Sequence, residues 1–135
     1  MRKTWIMLAS VLLAGCQTSG EGQSPTASVP ALPANYRQIV IDGVKKIFIY
    51  PSSIRDASIS APIPGNAIMG PVTTVCVRAN AKNKMGVYTG ATTTAFIFRG
   101  GQLSSTETQH IAVLCAGVPY EPFPEIDSAS HTARR

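Results

Sequence analysis

The stretch "VTTVCVRANAK", residues 72–82, decides the fold. Successive side chains of a strand point to opposite sides. A period of two therefore sets Val72, Thr74, Cys76 and Arg78 on one side and Thr73, Val75, Val77 and Ala79 on the other. The second side is the more apolar, as expected of a strand turned toward a core. Asn80, Asn83, Gly86 and Gly90 follow in "NAKNKMGVYTG", and all four favour turns. The chain then returns in "TTTAFIFRGG", residues 92–101, where Ala95 and Ile97 oppose Phe96 and Phe98. Gly100-Gly101 signals another turn, and Gln102 to Thr106 is a candidate for brief pairing. An antiparallel sheet grows outward from residues 72–82.

Upstream, "NYRQIVIDGVKKIFIY", residues 35–50, changes period. Tyr36, Val40, Gly43, Val44, Ile47 and Phe48 recur at threes and fours, with Arg37, Gln38, Asp42, Lys45 and Lys46 on the other side. That is one apolar stripe on a helix. The Ile and Val content lowers helix propensity and makes a strand the alternative. Asn35 is placed to cap the start, and Pro51 stops the helix because the residue before a proline is pushed out of helical geometry. "DASISAP", residues 56–62, alternates as a short strand. Pro62, Pro64 and Gly65 break it, and "NAIMGP", residues 66–71, reads as a loop.

Downstream, "HIAVLCAG", residues 110–117, is an apolar run that fits a last strand or a short helix. The tail has three prolines and ends polar. The expected fold is α+β: one N-terminal helix across a small antiparallel sheet of three to five strands. The domain spans residues 35–127, and residues 128–135 form a disordered tail.

The front of the chain has a different character. Arg2 and Lys3 give a basic start, and Trp5 to Leu13 is mostly apolar. This run is too short to span a bilayer, which takes about 20 residues. A basic start, a short apolar centre and small residues before a cut site describe a secretory signal peptide, residues 1–15. Leu13-Ala14-Gly15-Cys16 resembles the bacterial lipobox. The resemblance implies that the Cys16 sulfur carries diacylglycerol and that cleavage leaves Cys16 as the acylated N-terminus. The plainer alternative is a secreted protein with a cysteine near its cut site. Gln17, rather than Asp, follows the cysteine, which resembles the signal for export to the outer membrane. The expected address is the cell envelope, lipid-anchored in the outer membrane and facing the periplasm. Residues 17–34 are rich in Ser, Thr, Gly, Pro and Gln and lack periodic apolar residues. Such a segment cannot offset its ordering entropy, so residues 16–34 read as an acylated cysteine and a disordered tether. About 18 flexible residues place its ends roughly 20–25 Å apart.

Three cysteines occur in the chain. With Cys16 acylated, Cys76 and Cys115 remain. In an oxidising compartment they read as a disulfide, with two buried thiols as the alternative. No second Cys or His stands at ligand spacing, and His110 with Cys115 makes one pair rather than a metal site.

"VCVRANAKNKMGVYTG", residues 75–90, resembles a pattern found in small exported bacterial proteins of unknown role: a Cys, then Asn-Ala-Lys-Asn, then Gly-x-Tyr-x-Gly, then an aromatic-rich strand. Those proteins also carry an upstream helix and a segment like "PSSIRDASIS", residues 51–60. Arg78 and Ala79 depart from the pattern, which often has an acidic and an apolar residue there. The resemblance implies the domain and its exported setting, and no activity. Two readings of the loop stay open. In one, Asn80, Lys82, Asn83 and Tyr88 are presented to a ligand. In the other, the same residues build a structural hairpin.

Chemistry is sparse. Twelve basic residues face seven acidic ones. Without Arg2 and Lys3 that excess falls from five to three, too mild for a nucleic-acid surface. Ser104-Ser105 lacks the Gly-x-Ser-x-Gly elbow of a serine hydrolase. Asp42, Asp56, Glu107, Glu121, Glu125 and Asp127 are scattered, and no glycine-rich phosphate loop occurs. The sequence points away from an enzyme, a cofactor and a metal. It points to a binding or assembly module that touches an envelope protein or peptidoglycan. The alternative is an inhibitor of a host or rival enzyme such as a lysozyme, with residues 80–88 as the plug.

Overall fold

The computed structural model describes residues 32–109 and 111–128. The signal segment, Cys16, the tether up to residue 31, His110 and the tail from residue 129 lie outside the described residues. Elements run in the order α1 (Tyr36–Ile47), a 3-10 turn (Pro51–Ser53), β1 (Arg55–Ser60), β2 (Ile63–Ala67), β3 (Gly70–Asn80), β4 (Thr92–Arg99), β5 (Gln102–Glu107), α2 (Ile111–Leu114) and β6 (Tyr120–Pro122). All strands join one antiparallel sheet in the order β5-β4-β3-β1-β6, with β2 also on β3.

β3 is the spine. One of its edges pairs with β4 from Thr73–Phe98 to Ala79–Thr92. The other edge is shared: β1 takes the C-terminal part through Ile59–Val77 and Ser58–Arg78, and β2 the N-terminal part from Ile63–Thr74 to Ala67–Gly70. Where β1 gives way to β2, the Cys76 N–H donates to Ser60 Oγ at 2.9 Å. Ser60 Oγ donates in turn to the Ala61 carbonyl, so a buried side chain bridges the break in the ladder.

The alternation expected for residues 72–82 is present. Val75, Val77 and Ala79 join Phe96, Phe98, Ile54, Ile59 and the helix residues Val40, Ile41 and Val44 in the main core. Gly43 lets α1 settle on the sheet: a Cβ there would lie 2.6 Å from Phe96 Cε1. Cys76 points the other way, into a smaller cluster with Ala95 and Cys115, flanked by Ile63, Leu114, Val118 and Tyr120. Cys76 and Cys115 form a disulfide with their Cα atoms 5.9 Å apart. Closing a loop of about 40 residues contributes roughly 4 kcal/mol in the chain-entropy account.

The fold departs from the sequence expectation in four places. Six strands form among the described residues, not three to five. "NAIMGP" is no loop: residues 63–80 make a β2–β3 hairpin with Ile68 and Met69 at its tip. Pro64 is tolerated because, among the described residues, β2 pairs only with β3 and leaves its other edge free. The helix stops at Ile47, before Pro51, and Phe48 is extended. Asn35 makes no side-chain cap, and the Tyr36 N–H donates to Pro33 O instead. The apolar run at residues 110–117 resolves in favour of one helical turn, α2.

The chain after β6 closes the main core. Phe123 and Ile126 are buried there. Arg37 of α1 holds this segment from outside, donating to Glu125 at 2.7 Å and Glu121 at 3.1 Å, with its guanidinium carbon 4.9 Å from the Phe123 ring centre. The Glu125 hydrogen bond holds the Arg37 guanidinium above its ordinary value. Partial burial would raise the Glu125 carboxyl, but hydrogen bonds from Arg37 and from the backbone, with the Arg37 charge, leave the carboxyl below the usual range. Ser128 donates from both N–H and Oγ to the Ile54 carbonyl.

Candidate functional site

The residues of the Asn-Ala-Lys-Asn…Gly-x-Tyr-x-Gly pattern form one connected loop between β3 and β4 at the C-terminal end of the spine. Asn83 is its hub. Asn83 Oδ1 accepts from the N–H groups of Met85 at 2.9 Å and Val87 at 3.2 Å. The Asn83 N–H donates to Val87 O, and the Gly86 N–H returns to Asn83 O. Gly86 and Gly90 sit at φ 74° and 108°, where a side chain would strain the backbone.

Tyr88 ties the loop to the body. Its hydroxyl donates to Ser53 O at 2.8 Å, and the Lys82 N–H donates to Ser53 Oγ at 3.0 Å. Ser53 Oγ itself donates to Tyr50 O. The Arg55 guanidinium lies over the Tyr88 ring, 3.7 Å from its centre, and Lys82 Nζ stands 5.7 Å away. Cation–ring contacts of this kind contribute about 0.5–1 kcal/mol each at exposed sites.

The four residues singled out in sequence therefore divide. Asn80 is buried at the end of β3, and its Oδ1 has no hydrogen-bond partner among the described residues. Asn83 and Tyr88 hold the loop by local and cross-chain bonds. Lys82 is exposed at the rim. What the loop presents lies between them: Lys84 is exposed, Met85 is 85% exposed and Val87 55%. The signal was in the sequence as two apolar residues inside a turn-rich stretch, where burial cannot reach them.

Beside this loop lies a shallow cleft of about 230 Å³, between the end of α1 and β4. Ile47, Ile49, Lys82, Asn83, Thr92 and Thr94 are among its lining residues. The Thr94 hydroxyl is buried without a hydrogen-bond partner among the described residues. Lys45 and Lys46 stand in the last turn of α1, and Ile49 and Tyr50 are exposed just after it. This end of the domain thus combines lysines with exposed apolar side chains on a fixed backbone. Such a surface suits a partner with acidic and apolar groups.

Among the described residues no group of three or more His, Cys, Asp or Glu is placed to hold a metal ion. No described helix is long and apolar enough to cross a membrane. The chain matches no protein-family model, no curated protein and no solved structure.

Proposed function

We propose that this chain is a lipid-anchored lipoprotein of the bacterial cell envelope, held through Cys16 in the outer membrane and facing the periplasm. It works as a non-catalytic binding or assembly module, with the loop end carrying the partner site. One observation supports the site: Met85 and Val87 stand exposed on a loop whose backbone Asn83 and Tyr88 pin from inside. A pinned loop loses little conformational freedom on binding, so exposed apolar area converts to affinity efficiently. The lysines around it favour an acidic partner, either an envelope protein or the carboxylates of peptidoglycan.

A photo-crosslinking residue at Met85 in intact cells is the direct test. A discrete adduct with one envelope protein or with glycan, lost when the reporter is moved to exposed Ser104, supports the reading. No adduct at Met85 overturns the loop as the site. Labelled palmitate entering the wild-type chain but not Cys16→Ser tests the anchor separately. The same pinned, protruding loop also suits a plug for an enzyme cleft. Loss of lysozyme activity on mixing with the protein would favour inhibition over assembly.

A further inference from the structure

The end of the domain opposite the loop carries a second exposed feature. The β2–β3 hairpin turns at Ile68 and Met69, which are 106% and 79% exposed. No charged residue occurs from Ala57 to Val77, so the hairpin is uncharged from its tip as far as Arg78, near the loop end of β3. Two large apolar side chains at this uncharged tip gain nothing from water, and the fold turns neither of them inward.

The path of α1 says what lies near that tip. Ile39 shares a cleft with Leu103, next to the β4–β5 turn. Leu103 pairs with Phe98, and Phe98 with Thr73, which sets this region at the hairpin end of β3. Gly43 rests on Phe96, further along the sheet, and Ile47 and Ile49 reach the cleft by Lys82 and Thr92 at the loop end. The helix therefore runs from the hairpin end toward the loop end. Leu32 packs against the main core four residues before the helix begins, and the first turn of the helix is also held by Arg37 on Glu121 and Glu125.

We propose that the Ile68–Met69 tip is a membrane-contact element that dips into the lipid surface at which the chain is anchored. The proposal rests on the lipid-anchor reading for its setting. A neutral apolar tip meets no charge-desolvation penalty at the headgroup boundary, and a lipid anchor ahead of residue 32 keeps the domain within reach of that surface. Contact at this end turns Lys84, Met85 and Val87 away from the membrane, so the tip would orient the partner site outward.

A single tryptophan tests this. Trp5 is the chain's one tryptophan, so Met69→Trp or Met85→Trp in a Trp5→Phe background gives one reporter at either end. The full chain is made in a bacterium that processes lipoproteins. It is reconstituted in phosphatidylethanolamine–phosphatidylglycerol vesicles with or without brominated acyl chains, and intact mass reads acylation at Cys16. In parallel, the chain from residue 17 onward, with a hexahistidine tag in place of Cys16, is held on vesicles bearing nickel-chelating lipid. It keeps every contact described above, all of which begin at residue 32.

The Met69→Trp reporter should shift to the blue and lose about half its emission to brominated lipid, as expected for burial about 5–10 Å deep. The Met85→Trp reporter should stay unquenched. A Met69→Trp reporter that remains in water on both vesicle types overturns the proposal, even where Cys16 is acylated. Equal quenching at both ends overturns it too, since the domain would then lie flat. Quenching at Met69→Trp on the tagged chain, with no acyl mass on Cys16, would sustain the contact and reject the native anchor.

Discussion

The two faces of the sheet are held by different means. Facing α1, the side chains are large: Phe96, Phe98, Phe123, Ile54 and Ile59 are all but sealed from water. On the opposite face the buried cluster is Cys76, Ala95 and Cys115, with only partly covered neighbours. Apolar burial scales with area, so the first face stabilises itself and the second has little to draw on. There a covalent bond takes over. The difference teaches that a small domain can cover both sides of a sheet when only one side has the side chains for a full core.

That contrast can be broken from either side. Phe96→Ala should have the largest effect, about 3–5 kcal/mol, because it opens a cavity under Gly43 at the centre of the larger core. Urea unfolding followed by far-ultraviolet circular dichroism reads it, and the loss should be similar with or without reductant. The double change Cys76→Ala, Cys115→Ala should lower stability by about 2–4 kcal/mol. Dithiothreitol should destabilise the wild type to a similar degree and leave this variant unmoved. If reductant shifted both equally, the bond would not be what holds the second face.

Smaller changes sharpen the comparison. Gly43→Ala puts a methyl group within 2.6 Å of the Phe96 ring, and overpacking of this kind costs about 1–3 kcal/mol despite the better helix propensity of alanine. Pairing it with Phe96→Leu should return part of the loss, a coupling that a double-mutant cycle detects. Arg37→Met should have the smallest effect, about 0.2–1 kcal/mol, since its bridges to Glu121 and Glu125 are largely solvated. Its signature is the pH profile. Glu125 titrates below its ordinary value when folded, so its contribution is present above the carboxylate's unfolded pKa and fades as pH falls through the lower folded one. The difference between wild type and Arg37→Met should shrink in that acid range and with added salt.

Much of the larger face was legible in sequence because it obeys two simple periods. Alternation assigned Val75, Val77 and Ala79 to one side and Cys76 to the other, and the three-and-four spacing placed Val40, Gly43 and Val44 on the helix stripe. The cysteine pair was legible by elimination once Cys16 was read as acylated. Three features were not. Prolines at 62 and 64 made residues 63–67 look like a break, yet an edge strand leaves one side of its backbone unpaired and tolerates them. Phe123 and Ile126 sit between prolines and charges with no period, and only the return of the chain over β1 buries them. In the loop, residue type showed a turn at Asn83 and Gly86. It could not show that Tyr88 reaches across to Ser53, a contact between residues 35 positions apart.

The fit of Gly43 against Phe96 also has a mechanical side. Moving α1 along its axis by one turn would replace that bare position with Ile39 or Ile47, whose side chains the ring cannot admit. The helix is thus keyed lengthwise. A pull along the helix would have to drive a neighbouring turn past the Phe96 ring, so this one contact resists lengthwise slip of α1.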